Sequence, residues 1–296
     1  VGHEADWSGE VKRPPRAVDT AAQGRPRAPQ PAIAVPAVRA VWRLLRAVTH
    51  GLHGLAIVLL RFPRLDAAAR QARIAWWARK MIAVLGMGLD VRGAFRPGAK
   101  LIVANHISWL DIMAVHAVCP QARFVSKADV QAWPVIGRLV GAAGTLYIVR
   151  EKARDALRVV HQMADALATG DTVAVFPEGT TGLGHEPLPF HANLLQAAIA
   201  TQVPVQPVAL RYADALHAVS PAADYTGDIS LARSLWMLAC AQGLCVRVEI
   251  LPAESVQHAD RRALATRLRR EIAGALERMQ DEPASAVHHR DTPPGG

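Results

Sequence analysis

Seven consecutive residues, Asn105-His106-Ile107-Ser108-Trp109-Leu110-Asp111, put an imidazole, a carboxylate, a hydroxyl and an amide into one short stretch. They follow the apolar run Lys100-Leu101-Ile102-Val103-Ala104, which reads as a buried strand. Such a kit at a strand exit suits the deprotonation of an alcohol. An alcohol is a poor nucleophile until a base takes its proton, and histidine, with an ordinary pKa of about 6.5, is matched to that task near neutral pH. The same residues also fit a plainer reading, in which Asp111 only caps a helix and His106 is a polar loop residue.

The spacing constrains the geometry. His106 and Asp111 are five residues apart, about 140° around an ideal helix, so on one regular helix they would not face each other. The pair works only if His106 lies in the loop and Asp111 in the helix after it. Ser108-Trp109-Leu110-Asp111 has the S-x-x-D form of a capping box, with an aspartate where Glu or Gln is usual, and the apolar run Ile112 to Val118 follows. Ser108 is then expected as the N-cap.

The elements that must position this pair follow from the rhythm of the chain after residue 90. Strands are expected at 100–104, 122–125, 145–149, 172–176, 205–210 and 245–250, and helices at 109–118, 134–141, 152–168, 191–201 and 259–279. Alternation of this kind predicts an α/β domain with a mainly parallel central sheet flanked by helices. Ligands of such sheets bind at the carboxyl ends of the strands. The strand Thr172 to Phe176 exits into Pro177-Glu178-Gly179-Thr180-Thr181-Gly182. If it lies parallel to strand 100–104, Glu178 and His106 converge on one edge. Gly179 would let the backbone approach a ligand, and Thr180 adds a hydroxyl. Lys127 and Arg150 each end an expected strand and are candidates for the same edge; a guanidinium suits phosphate because its planar fork binds bidentately.

Charge is unevenly distributed. Residues 1–100 carry 17 Lys and Arg against 6 Asp and Glu, whereas the remaining 196 carry 17 against 19. The basic excess is interleaved with aliphatic runs and tryptophans, which favours an anionic membrane surface over nucleic acid as its partner. Residues 1–36, rich in Pro, Arg, Ala and Gln, are expected to be disordered, as is the polar tail 281–296. No compact apolar stretch with a cleavage site opens the chain, so a secretory signal is not expected. Residues 37–89 are expected to form a membrane-associated helical hairpin, with helices near 38–62 and 66–85. The longest uncharged run in it, Ala47 to Leu60, is 14 residues. A spanning helix needs about 20 apolar residues, so a helix lying in the interface fits better. Trp76-Trp77 suits that interface, and Arg70, Arg73, Arg79 and Lys80 are placed to reach headgroups. A hairpin packed on the main domain also satisfies the pattern. Cys119, Cys240 and Cys245 are odd in number and show no Cys-x-x-Cys spacing, so reduced thiols are expected, with neither disulfide nor zinc.

Four blocks in order, Asn-His-Ile-Ser-Trp-Leu-Asp at 105–111, Arg150 after an aromatic strand, Phe-Pro-Glu-Gly-Thr at 176–180 and Val-Pro-Val-Gln-Pro-Val at 203–208, make residues 90–215 resemble the glycerolipid acyltransferase family, and within it the bacterial 1-acylglycerol-3-phosphate acyltransferases. The resemblance implies an α/β acyltransferase domain over residues 90–280, preceded by a two-helix element in one leaflet at the cytoplasmic face of the inner membrane. It implies acyl transfer from acyl-CoA or acyl carrier protein to a lysophospholipid acceptor, with no cofactor or metal. His106 would be the general base and Asp111 its orienting partner. Asn105, Ser108, Lys127, Arg150, Glu178, Gly179 and Thr180 would serve substrate binding. Backbone N–H groups at the helix start after His106 would stabilise the oxyanion. One departure stands out. The family commonly has arginine after Glu-Gly-Thr, and here the residue is Thr181, followed by Gly182. An enzyme acylating lyso-ornithine lipid, which has no glycerol phosphate, would tolerate that loss. A non-catalytic lipid-binding adaptor is the more distant alternative. A serine hydrolase is not expected, because no Gly-x-Ser-x-Gly elbow is present.

Overall fold

In the computed structural model, which describes residues 34–148 and 153–280, two long helices come first, α1 (Ala37–Leu60) and α2 (Ala67–Val84). The strands are β1 (Gly88–Arg92), β2 (Lys100–Ala104), β3 (Ala122–Lys127), β4 (Leu146–Ile148), β5 (Thr172–Val175), β6 (Val205–Ala213) and β7 (Cys245–Ile250). The remaining helices are α3 (Leu110–Val118), α4 (Ile136–Ala142), α5 (Ala153–Ala168), α6 (Gln196–Thr201), α7 (Leu231–Cys240) and α8 (Arg261–Gln280). Local sequence sets several of these boundaries. Pro63 falls in the short turn that separates α1 from α2, where a proline ends a helical run. Asp66 caps α2 by accepting the Ala69 N–H at 2.7 Å, and Ser230 caps α7 through the Arg233 N–H.

The strands form one sheet in the order β1-β7-β6-β2-β5-β3-β4. The five from β6 to β4 run parallel, β7 runs antiparallel to β6, and β1 runs parallel to β7. The carboxyl ends of β2, β3, β5 and β6 therefore share one edge, as the convergence of His106 and Glu178 requires. β2 sits at the centre with all five residues buried. Its side chains alternate between two apolar layers. Leu101 and Val103 pack with residues of α5, α6 and α8, and Ile102 and Ala104 pack with residues of α2, α3 and α7. Burying each large aliphatic side chain stabilises the fold by about 1.5–3 kcal/mol, so the strand that carries the reactive loop is also among the best anchored.

Two elements go beyond those expected. β1 contains an aspartate, an arginine and a glycine in five residues, too polar to stand out as a strand, and it forms by edge pairing on β7. α7 presents Leu231, Leu235 and Leu238 at helical spacing behind a serine cap, a signal that was legible but short. β6 also runs three residues past the expected end, to Ala213.

α1 lies along the body rather than apart from it. Its packed side holds Ala40, Arg43, Ala47, His50 and Gly54. Arg43 donates to the carbonyls of Ala239 and Ala241, at the end of α7, at 3.0 and 2.6 Å. Gly54 permits the close crossing with α2, since a Cβ there would sit 2.3 Å from Nε1 of Trp77. The opposite side exposes Val38, Val41, Trp42, Leu45, Val48 and Leu52. By length and composition the helical stretch Ala37–Arg64 also suffices to cross a bilayer. Its apolar outward stripe is consistent with membrane association. The two expected tails lie outside the described residues, except for residues 34–36. These are pinned to the body by the Val35 N–H to Cys240 carbonyl bond, 2.8 Å, and by an Ala34–Ala241 bridge.

Candidate active site

The loop between β2 and α3 is held from below by three side chains. Asn105 is almost wholly buried. Its amide donates to the Leu210 carbonyl at 2.9 Å and its carbonyl accepts the Leu210 N–H at 2.8 Å, so it extends the β2–β6 ladder by one side-chain rung. Both of its polar groups are taken, so Asn105 joins two strands rather than facing the acceptor. The His106 N–H donates to Oε1 of Glu178 at 2.9 Å, and the His106 carbonyl accepts the Gly182 N–H at 2.7 Å. The turn after β5 thus grips the histidine backbone from both sides.

Asp111 is the hub. Its Oδ2 accepts from Nδ1 of His106 at 2.8 Å, from the Ile107 N–H at 2.7 Å and from the Ser108 N–H at 3.0 Å. Its Oδ1 accepts from the Tyr212 hydroxyl at 2.8 Å. Because the carboxylate oxygen Oδ2 only accepts, Nδ1 carries the proton, and Nε2 is left as the basic nitrogen. Asp111 is fully buried, while the His106 side chain keeps 20% exposure. The histidine is the partner that faces solvent. Its ring stacks on Phe176, with centroids 4.1 Å apart and planes 10° from parallel. Burial holds the Tyr212 hydroxyl well above its usual pKa, and the charge of Asp111 adds to this, so the tyrosine remains a donor.

Only half of the expected capping box forms. Asp111 receives the Ser108 N–H, but the buried Ser108 hydroxyl has no hydrogen-bond partner among the described residues, and the helix begins at Leu110 with Trp109 before it. The expectation that N–H groups at the helix start after His106 would bind an oxyanion is narrowed to those of Trp109 and Leu110. Those of His106, Ile107 and Ser108 all point inward to carboxylates.

Glu178 is buried, and its carboxyl is pushed up to about 7. Desolvation is the main cause, and the nearby Asp111 charge adds to it. Gly179 adopts φ +71°, a left-handed conformation that a side chain would strain, with the His191 ring 3.1 Å from a notional Cβ. Thr180 is exposed. Thr181, at the position of the family arginine, donates its hydroxyl to the Tyr225 carbonyl at 2.6 Å. Lys127 is the last residue of β3, in register with Ile148 on β4, at the carboxyl edge. Arg150 lies outside the described residues.

Sequence reasoning missed Phe176, Phe124, His116 and Tyr212. The rings of His106, Phe176, Phe124 and His116 form a continuous chain, with centroids 4.1, 5.5 and 5.1 Å apart along it. Phe124 and His116 in turn line an apolar cavity of about 400 Å³ enclosed by α1, α2, α3, α4 and α7. Burial pushes His116 down to about 4, so the wall it contributes is uncharged near neutral pH. The cysteines stand apart from this chemistry. None is in a disulfide, and burial pushes the Cys119 and Cys245 thiols up to about 11.

The fold and the site define an α/β enzyme with a His–Asp pair at the carboxyl edge of a parallel sheet, opening beside an apolar cavity. Comparison with known proteins narrows this class. The family profile described as Acyltransferase matches residues 90–211. The 1-acyl-sn-glycerol-3-phosphate acyltransferase of Neisseria meningitidis serogroup B is 34% identical over 211 residues, 70% of this chain and 82% of that protein. The lyso-ornithine lipid O-acyltransferase of Pseudomonas aeruginosa is 35% identical over 238 residues, 79% of this chain and 91% of that protein. The crystal structure of the LPA acyltransferase PlsC from Thermotoga maritima superposes with a TM-score of 0.59 at 20% identity, covering 81% of this chain and 98% of that one. That likeness concerns the fold. The chain belongs to the acyltransferase family that contains these relatives, and it is an acyltransferase.

Proposed function

We propose that this enzyme moves a fatty acyl group from an acyl-CoA or acyl carrier protein thioester to the free hydroxyl of 1-acylglycerol-3-phosphate, giving phosphatidic acid for phospholipid synthesis. The observation that carries this reading is the 2.8 Å bond between Nδ1 of His106 and Asp111, which leaves Nε2 as base. Nε2 takes the proton as the lipid hydroxyl oxygen attacks the thioester carbonyl. The tetrahedral intermediate collapses with loss of the thiolate, and the imidazolium returns the proton to sulfur. Asp111 steadies the charged ring between these steps. The lipid itself attacks, so no protein nucleophile is needed, in keeping with the raised cysteine thiols. Glu178 and the Gly182 N–H fix the height of the imidazole over the edge. Lys127 is assigned to the acceptor phosphate from its place at the end of β3, and Arg150 from the sequence resemblance alone.

The apolar cavity suits an acyl chain, because its walls offer little beyond hydrocarbon and it ends two rings from His106. Keeping each CH₂ out of water is worth about 0.8 kcal/mol, so an enzyme docked on the bilayer is favoured over one that extracts its substrate. The inward-facing Arg43 and His50 of α1, bonded to protein carbonyls, argue for a helix lying in one leaflet rather than crossing alone.

A second acceptor has a specific observation behind it. The Thr181 hydroxyl is committed to Tyr225, so this position supplies no cation to a phosphate. Lyso-ornithine lipid is the acceptor that dispenses with one. The deciding assay offers labelled acyl thioester with lysophosphatidic acid and lyso-ornithine lipid side by side, using wild type and His106→Ala. Transfer to lysophosphatidic acid that collapses in the variant supports the proposal. Transfer only to lyso-ornithine lipid moves the substrate and keeps the mechanism. No transfer by folded protein with either donor returns the chain to a lipid-binding adaptor.

A further inference from the structure

A second groove, of about 420 Å³, lies between α1 and α2, lined by Trp42, Leu45, Arg46, Thr49, His50, His53, Lys80 and Val84. None of these eight residues lines the apolar cavity. Its chemistry is opposite. Arg46 and Lys80 bring two cations to it, both side chains are exposed, and neither makes a hydrogen bond or ion pair with any described residue. No acidic side chain is among the lining residues.

The groove is also rigid at its base. His50 and Trp77 lock the two helices reciprocally. Nε2 of His50 bonds to the Trp77 carbonyl at 3.0 Å, Nε1 of Trp77 donates to the His50 carbonyl at 3.0 Å, and the two rings stack 5.3 Å apart. His53 packs edge-on against Trp76 at 5.7 Å beside them. At its rim stand Trp42 and Leu45, 60% and 56% exposed, which belong to the outward apolar stripe of α1. A site of this build presents charge at the centre and hydrocarbon at the edge. Two cations carried on a locked helix pair, with no carboxylate beside them, attract a phosphate more strongly than scattered surface charges, because their charges add at one point and no acidic neighbour offsets them.

We infer that the α1–α2 groove is a one-to-one binding site for an anionic phospholipid of the surrounding leaflet, its phosphate held by Arg46 and Lys80 and its acyl chains lying along Trp42 and Leu45. This site is separate from the one where acyl transfer occurs. It adds a discrete lipid to the general attraction of a basic segment for an acidic surface.

Native mass spectrometry of the full chain in a neutral detergent, titrated with phosphatidylglycerol or phosphatidylcholine, tests it without reference to catalysis. One phosphatidylglycerol retained per chain is expected, with phosphatidylcholine retained at least tenfold more weakly. Arg46→Gln/Lys80→Gln should lose at least tenfold of the phosphatidylglycerol retention. Arg39→Gln/Arg61→Gln, with the same change in net charge at the two ends of α1, should keep it. Arg46→Lys/Lys80→Arg should restore it. Thr49→Asp, which sets a carboxylate on the groove wall, gives an independent loss should the double variant not fold. Equal retention of the two lipids overturns the inference, as does equal loss in the Arg39/Arg61 control. Displacement of the lipid by free coenzyme A would overturn it too, by assigning the cations to the acyl donor.

Discussion

The Tyr212 hydroxyl, 101 residues along the chain from Asp111, donates to Oδ1 of that aspartate at 2.8 Å and completes its set of four donors. The His106–Asp111 pair is thereby tied to β6 as well as to its own loop. Tyr212→Phe removes only this hydroxyl and leaves a buried carboxylate oxygen without a partner, which costs about 1–3 kcal/mol. Denaturant unfolding should show that loss, and kcat should fall while KM for the acyl donor holds. Unchanged stability and rate would mean the other three donors suffice to hold Asp111.

Asp111→Asn keeps the size of the side chain and changes what it can accept. An amide brings two hydrogens towards a site already crowded with donors from His106, Ile107 and Ser108. The imidazole then loses the partner that fixes its tautomer. Acyl transfer is expected to fall by about 10²–10⁴, with circular dichroism unaltered. A variant within a few-fold of wild type would remove Asp111 from the mechanism.

What the sequence made legible was local. β2, the reactive loop and the start of α3 lie within one short stretch, and their types and spacing carry the His–Asp geometry directly. The parallel alternation likewise announces the shared edge that brings Glu178 beneath His106. The rest depends on contacts distant in sequence. Tyr212 lies in an apolar strand, where an aromatic residue reads as core, and only the register of β6 against β2 aims it at Asp111. Phe176 was visible as the end of a strand and the first residue of the 176–180 block, but its stacking on His106 follows from β5 pairing with β2. That the N–H groups of His106, Ile107 and Ser108 turn inward was not legible, because the carboxylates that claim them sit on one local and one remote residue.

Glu178 makes stability depend on pH. Its carboxyl is raised to about 7 in the fold, chiefly by burial, against about 4.3 for an unfolded glutamate. Between these values the unfolded chain has released the proton and the folded chain has kept it. Stability from this group therefore falls as pH rises from about 4.3 to about 7, and is level above that. Glu178→Gln still offers an oxygen to the His106 N–H but does not titrate. Thermal midpoints of the variant should lack the wild-type decline over this window. Parallel curves for the two proteins would assign the decline to another group.

The cavity makes a separable prediction about chain length. Gly51 lines it, and a Cβ there meets no atom within 4 Å. Gly51→Ala is expected to stabilise α1 by about 1 kcal/mol, since alanine replaces glycine in a helix interior. Gly51→Phe instead fills the space, and should lower kcat/KM for long acyl thioesters while sparing short ones. A uniform loss across chain lengths would place the acyl chain elsewhere.

Thr181 is where acceptor choice becomes testable. Its hydroxyl bonds the Tyr225 carbonyl at 2.6 Å and pins the segment before α7 over the carboxyl edge. Thr181→Arg breaks that bond, at a cost of about 0.5–1.5 kcal/mol in stability, and supplies a cation to the headgroup side. A charge-assisted hydrogen bond to phosphate is worth about 1.5–3 kcal/mol, roughly a 10- to 100-fold change. The ratio of kcat/KM for lysophosphatidic acid over lyso-ornithine lipid should therefore rise in the variant by up to that factor, measured with both acceptors under one donor. A ratio that stays fixed, or that falls, would mean the headgroup is read by other residues, and that the threonine serves only to hold the segment around Tyr225 in place.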